Sequence, residues 1–203
     1  EWRFEETGAG PGVVLADSSG NGHTGSTAGY GTISTPGVVG NARLFNGLTD
    51  WAEISPSAAL SPPSFTCSVW VKLYSYPTTA GWGVVVANYG GNYQGWYLGI
   101  HSSGRLIFSV ASLPSSAPWL LGTSSLALER WYRVTVTYDG STRVGAVYLN
   151  GAPEATAAFS GFSPQSALSM TFGRASWFAG YFLNAALDQA ILYPVARSAG
   201  QVL

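Results

Sequence analysis

The sequence predicts an all-β domain, an antiparallel jelly-roll β-sandwich, on three observations. Apolar residues recur at every second position through most of the chain, and no long stretch carries the helical period. Turn dipeptides punctuate these stretches: Asn46-Gly47, Ser103-Gly104, Asp139-Gly140 and Asn150-Gly151. The composition supports a large core, since 46% of the 203 residues are hydrophobic and 14% aromatic, while only 9% are charged. Ordinary soluble domains carry about 25% charged residues. Many short strands with such turns close into a sandwich or a barrel. An all-β chain of this length is one domain, so residues 1–203 are read as a single unit.

Period-two alternation places strands, in chain order, at 2–6, 42–46, 51–54, 65–73, 83–88, 95–101, 105–111, 131–138, 143–149, 152–157, 168–173 and 181–193. Asn46-Gly47 separates the second from the third, Ser103-Gly104 the sixth from the seventh. Asp139-Gly140 and Asn150-Gly151 bound the hairpins built on 131–138, 143–149 and 152–157. Residues 8–12 and 112–125 read as loops, and 197–203 as one helical turn. There is no internal repeat and no linker. Cys67 is the single cysteine, so no intrachain disulfide forms. It lies in phase with Phe65, Val69 and Val71, as a small buried hydrophobe does.

The charge balance excludes some partners. Nine basic and ten acidic residues leave a net charge of −1, which offers nothing to nucleic acid or to an anionic membrane. No apolar run reaches the length of a helical membrane span. Low charge with abundant Gly, Ser, Thr and aromatics fits an extracellular β protein. The chain starts at Glu1 without a visible signal peptide, and is read as a mature or excised module of a larger exported protein.

Two segments carry a candidate metal site. Asp17-Ser-Ser-Gly20-Asn21-Gly22-His23-Thr24-Gly25 is a polar, glycine-rich loop, and Ala186-Leu187-Asp188-Gln189-Ala190-Ile191 is a strand with one acid among apolar neighbours. A buried acid must be paired or hydrogen-bonded. A loop with a carboxylate, an Asn and freely turning glycines can wrap oxygens around a hard cation. Asp17 and Asp188 would supply carboxylates, and Asn21, Gly22 and Thr24 further oxygens, so that calcium ties the loop to the last strand. The alternative is that Asp17 closes an Asx-turn and Asp188 accepts backbone hydrogen bonds.

The same segments carry a family resemblance. An early aromatic strand, Trp2-Arg3-Phe4-Glu5-Glu6, precedes the Asp17 to Gly22 loop. Leu44-Phe45-Asn46-Gly47 matches a strand ending in Phe-x-Gly. Phe65 to Lys72 matches Phe-Thr-x-Ser-x-Trp-Val-Lys, and Trp131 to Gly140 matches a strand closing on Tyr-Asp-Gly. Tyr148-Leu149-Asn150-Gly151 matches a Tyr-x-Asn-Gly hairpin, and Asp188 to Val202 the family's ending. In this order the motifs resemble the laminin-G-like, concanavalin A-like jelly-roll modules of bacterial extracellular proteins, over nearly the whole chain. The resemblance implies the jelly-roll fold and a structural calcium. It does not name a ligand, because the family is functionally diverse.

Three function classes follow. Polysaccharide-cleaving relatives carry a Glu-x-Asp-x-x-Glu strand, which is absent here. Glu5 and Glu6 are adjacent and point to opposite faces of a strand, and Glycoside hydrolysis needs two converging carboxyls. His23 and His101 are the only histidines, too few for an ordinary zinc site. The favoured reading is a non-catalytic carbohydrate-binding module. Sugar rings present apolar C–H faces and polar edges, which suit aromatic platforms flanked by amides or guanidinium groups. The richest cluster runs from Trp82 through Asn88-Tyr89-Gly90-Gly91-Asn92-Tyr93-Gln94 to Trp96, with Tyr89, Asn92, Tyr93 and Gln94 read as a hairpin turn. Trp119, Arg174 and Trp177 lie in loop-like settings and complete the candidate set. A protein-adhesion or spacer module is the alternative, and a polysaccharide-cleaving enzyme the third reading.

Overall fold

The computed structural model describes residues 1–78, 81–90, 94–111, 119–175 and 180–202. In chain order the strands are β1 (Val14–Leu15), β2 (Gly25–Ala28), β3 (Ile33–Pro36), β4 (Asn41–Asn46), β5 (Trp51–Ile54), β6 (Phe65–Leu73), β7 (Trp82–Tyr89), β8 (Gly95–His101), β9 (Arg105–Ala111), β10 (Leu120–Ser125), β11 (Trp131–Asp139), β12 (Val144–Leu149), β13 (Ala152–Ala158), β14 (Met170–Phe172) and β15 (Asn184–Tyr193). They form two antiparallel sheets, ordered β1-β2-β5-β14-β7-β8-β9-β10 and β13-β12-β11-β6-β15-β4-β3. Non-sequential neighbours such as β14 beside β7, and β15 between β6 and β4, are the crossovers of a concanavalin A-like jelly roll. Single 3-10 turns at Ala58–Leu60 and Ala199–Gln201 are the helical elements of the described residues.

The inner faces meet in one core. Phe65 of β6 stands at its centre, with ring centroids 4.7 Å from Trp96, 6.2 Å from Phe108 and 6.0 Å from Tyr138. Val69 and Val71 of β6, Val134 and Val136 of β11, and Leu98 and Ile100 of β8 extend it. The alternation that predicts these strands is the alternation that buries them. Cys67 lies in this core, and burial pushes its thiol up to about 12.

Several expected boundaries move. Of the strand expected at 2–6, only Trp2 pairs, with Ala190. Phe4 adopts φ 59°, which breaks the extended run and turns its ring edge-on to Phe172 at 5.3 Å. Burying that ring outweighs about 1–2 kcal/mol of backbone strain. The stretch 112–125 read as a loop contains β10, whose Leu120 pairs with Phe108 and Leu121 with Ile107. Its Ser/Thr/Gly-rich end hides a strand that exists because β9 offers it a hydrogen-bonding edge. β1, β2 and β3 escape the alternation reading for the same reason: each is four residues or fewer and partly exposed. The helical turn expected over 197–203 contracts to Ala199–Gln201.

Phe65→Ala is expected to cost about 3–5 kcal/mol by urea denaturation, the usual range for emptying an aromatic site in a closed core. A loss below about 1 kcal/mol would contradict the central packing of this ring. Native Cys67 is expected to resist aromatic disulfide reagents until the chain is unfolded; rapid labelling of the folded protein would show that the core opens.

Candidate functional site

The first sheet is unusual in that its outer face, turned away from the sandwich core, is also aromatic. Its register aligns Glu53 with Thr171, Thr171 with Ala87, Ala87 with Tyr97 and Tyr97 with Ser109, one row across β5, β14, β7, β8 and β9. Rings collect around this row. Trp82 stacks on Tyr97 at 4.5 Å and 23°, Tyr181 lies 4.4 Å from Trp82, and Tyr89 stands edge-on to Tyr97 at 5.4 Å. A bulge between Val84 and Val86 makes this possible. It sends Val85 and Val86 into the core while Trp82, Val84, Ala87 and Tyr89 share the outer cluster. Gly99 matters too: a Cβ there would lie 3.0 Å from the Trp82 ring, so the glycine lets the indole approach β8 closely. Burial raises the Tyr97 phenol above its ordinary range, against a hydrogen bond from Ser109 that lowers it.

Arg174 borders this face. Its guanidinium lies 4.4 Å from the Trp51 ring centroid and 5.8 Å from Phe182, and its Nε donates to the Ala175 carbonyl at 2.9 Å. Trp51 points outward because Ala52 and Ile54 fill the inward positions of β5. Trp119, 60% exposed, immediately precedes β10 and shares the phase of Leu121, which packs against the outer cluster. The fold thus gathers Trp82, Tyr89, Trp119 and Arg174 on one sheet. Tyr89 is a correction: it ends β7 with 8% exposure, rather than standing in a turn, because its outward phase on β7 sets it against Tyr97. Gln94 precedes β8 and accepts a hydrogen bond from the Gly90 amide through its carbonyl, at 3.1 Å. Asn92, Tyr93 and Trp177 lie outside the described residues. Sequence reasoning missed Tyr97, Tyr181 and Trp51. The signal available for Tyr97 was its phase, opposite to that of the core residues Trp96 and Leu98.

The two acids of the candidate metal site have separate surroundings. Asp17 closes its own loop: Oδ1 accepts from the Ser19 amide at 2.9 Å and the Ser19 hydroxyl at 2.6 Å, and Oδ2 from the His23 amide at 2.9 Å. Burial works against its charge, but the Ser19 and His23 hydrogen bonds outweigh it and hold the carboxyl well below the usual carboxylate range. Asp188 is fully buried. Its Oδ2 accepts from the Val38 and Val39 amides at 2.8 and 3.2 Å, in a β3–β4 turn where Gly37 leaves it room. Its Oδ1 is buried without a hydrogen-bond partner. Burial chiefly raises its pKa, and the Glu5 carboxylate nearby raises it further. The loop is tied to the last strand by protein atoms: Trp2 exchanges backbone hydrogen bonds with Ala190 at 2.8 Å, and its Nε1 donates to the His23 carbonyl at 2.8 Å. Among the described residues, no three His, Cys, Asp or Glu side chains gather as a metal cluster.

The comparisons agree with this architecture. A family model, Laminin_G_3, described as the concanavalin A-like lectin/glucanases superfamily, matches residues 45–203. No curated protein sequence matches. Domain 4 of AbnA, an extracellular arabinanase from Geobacillus stearothermophilus, solved in complex with arabinotriose, is similar at 20% identity and TM-score 0.72, covering 96% of this chain and 97% of that one. The binding domain of Paraclostridial Mosquitocidal Protein 1 gives 15% identity and TM-score 0.75, covering 97% of this chain and 50% of that one. Botulinum neurotoxin type C, whose cell entry depends on two ganglioside molecules, gives 16% and 0.71, covering 93% and 47%. The chain thus spans about half the length of the toxin chains it matches. At these identities the likeness shows the fold alone.

Asp17→Ala is expected to destabilise the domain by about 1–2 kcal/mol at neutral pH, as loss of a loop-closing acceptor does. A lowered folded-state pKa contributes stability above the unfolded pKa, which is lost as pH falls through the folded value. The gap between wild type and variant should therefore narrow below about pH 4. A gap that is constant from neutral to acid pH, in paired denaturation curves, would show that the charge of Asp17 is not what the loop uses.

Proposed function

The chain belongs to the concanavalin A-like lectin/glucanase superfamily, and we propose that within it this domain is a non-catalytic carbohydrate-binding module of a secreted or cell-surface protein. The observation that carries the reading is the outer face of the first sheet. Its rings Trp82, Tyr89 and Tyr97 pack on one another at 4–8% exposure, and Trp51 and Tyr181 stay half-buried. Rigid rings beside hydroxyl, carboxylate and guanidinium groups suit a sugar, whose C–H face stacks while its hydroxyls bond at the edges. Trp82, Tyr89 and Tyr97 form the close-packed floor. Trp119, Trp51, Tyr181 and Arg174 are the more accessible groups and take the ligand, with Gln94 and Glu53 as polar neighbours. The arabinotriose bound by the similar arabinanase domain supports the ligand class, and the similar toxin and arabinanase domains, parts of larger proteins, support a module in a longer exported chain. The carboxylates with resolved contacts serve structure: Glu154, for one, accepts from the Thr123 and Ser124 amides, both at 2.7 Å, and joins β13 to β10.

A structural calcium belongs to the same proposal. Asp188 fits a hard cation: it is a buried carboxylate with one unpartnered oxygen, set near the acid of Glu5. Calcium takes six to eight oxygens and accepts backbone carbonyls among them. Asp188 and Glu5 would hold it. Asp17, Asn21, Gly22 and Thr24 sit on the separate 17–25 loop, whose carboxylate is already held by its own amides and the Glu1 ammonium, and are not among the groups that would hold it.

Affinity electrophoresis against neutral and acidic polysaccharides tests the ligand. Retardation by one glycan class is expected, and Trp119→Ala or Trp51→Ala should weaken it about fivefold or more. Uniform migration across a broad panel would favour the adhesion or spacer reading. For calcium, chelation should lower the melting temperature and added calcium restore it, since a ligand of the native state stabilises it. Asp188→Asn should abolish that response. A melt indifferent to chelation would remove the metal from the proposal.

A further inference from the structure

On another part of the molecule, the 17–23 loop and the end of β15 enclose a cleft of about 620 Å³. That volume falls inside the range of about 300–1,000 Å³ typical of small-molecule sites. The cleft shares no residue with the outer aromatic cluster of the first sheet. One wall is polar, with Asp17, Asn21 and His23; the other is apolar, with Leu60, Pro62 and Tyr193. We propose that this cleft is a second saccharide site, which takes one neutral sugar ring in preference to a charged one.

The polar wall is pre-organised. His23 is clamped at both ends of its backbone, its amide to Asp17 Oδ2 at 2.9 Å and its carbonyl to Trp2 Nε1 at 2.8 Å. Its half-buried ring has no hydrogen-bond partner among the described residues and faces the cleft. Asn21 spends Nδ2 on the Ser19 hydroxyl at 3.0 Å, and no hydrogen bond occupies its Oδ1 among the described residues. A rigid loop that leaves an imidazole and an amide oxygen unspent loses little entropy when hydroxyl groups arrive. Opposite them, the plane of Tyr193 is fixed by Arg197, whose guanidinium lies 3.5 Å from the ring centroid. Tyr193 and the prolines offer a surface for the C–H face of a ring.

Charge sets the selectivity. No Lys or Arg lines the cleft, whereas Asp17 and Glu1 do. Glu1 is paired with Arg3 at 2.8 Å, and Asp17 with the Glu1 α-ammonium at 3.2 Å, so the ionic groups of the cleft are already matched. A charged ligand group would find no unpaired opposite charge there, whereas a neutral ring needs none. Sugar hydroxyls meet the Asn21 amide oxygen and the His23 imidazole.

The test is ¹⁵N NMR of the whole domain titrated separately with cellobiose, arabinobiose, chitobiose, glucosamine and galacturonate. The Trp2 indole N–H, bonded to the His23 carbonyl, reports on this cleft. We expect saturable shifts of the Trp2 indole and of the Asn21 and His23 amides with at least one neutral sugar. His23→Ala, Asn21→Ala and Tyr193→Ala should each weaken them about fivefold, and Trp119→Ala should leave them unchanged. The exposed Asn21 keeps the test valid if Tyr193→Ala disturbs the fold. Silence of these resonances with every sugar, an equal response to galacturonate, or shifts that survive all three variants would overturn the proposal. Because Trp119 reports on the sheet face and Trp2 on the cleft, either site can fail without the other.

Discussion

The N-terminal end of the sandwich depends on the anchoring of Trp2. This residue is 2% exposed and works in three directions. Its backbone pairs with Ala190 on β15, its ring lies 5.8 Å from Phe172 in the core, and its Nε1 bonds the His23 carbonyl. A buried indole N–H needs an acceptor, and a short glycine-rich loop needs an anchor. Each supplies the other. The position of Asp17, the polar wall of the cleft and the approach of the N-terminal segment to Asp188 all follow from that bond and its neighbours.

A second constraint shapes the first sheet. Strands that alternate apolar and polar residues bury one face, but β7, buried along its whole length, carries apolar or aromatic groups on both. The bulge at Val84–Val86 assigns those groups to two separate clusters. The inner one is the aliphatic and aromatic packing of a sandwich. The outer one mixes Trp82, Tyr89 and Tyr97 with Ser109 and Thr171, hydroxyl-bearing neighbours that an ordinary core avoids. The two faces of one sheet thus differ in chemistry.

Buried charge marks the third feature. Arg43 is fully enclosed and donates through Nη1 to the carbonyls of Glu6 and Gly8 at 3.1 and 2.5 Å. Asp188 is enclosed on the neighbouring strand. Both desolvated groups hold irregular backbone: Arg43 the segment 6–8, Asp188 the β3–β4 turn. Backbone amides and carbonyls far from any ladder must find partners, and here charged side chains provide them in place of secondary structure.

The sequence by itself determined the class of fold, most strand positions and the two-sheet character. Period-two alternation is local, and Phe65 to Val71 or Trp96 to Ile100 display it without reference to any partner. It also marked Asp17 and Asp188 as acids in need of partners. Only the tertiary structure decided what those partners are: the Asp17 loop's own amides and the β3–β4 turn, some 150 residues from Asp188 along the chain. It likewise decided that Phe4 leaves its strand to reach Phe172, that Tyr89 belongs to β7, and that Tyr97 joins Trp82 and Tyr181. β10 was invisible for the same reason. Phase within a strand can be read along the chain, but which strand lies alongside, what packs on each face and where an edge is completed are set by long-range pairing and burial, and local sequence does not encode them.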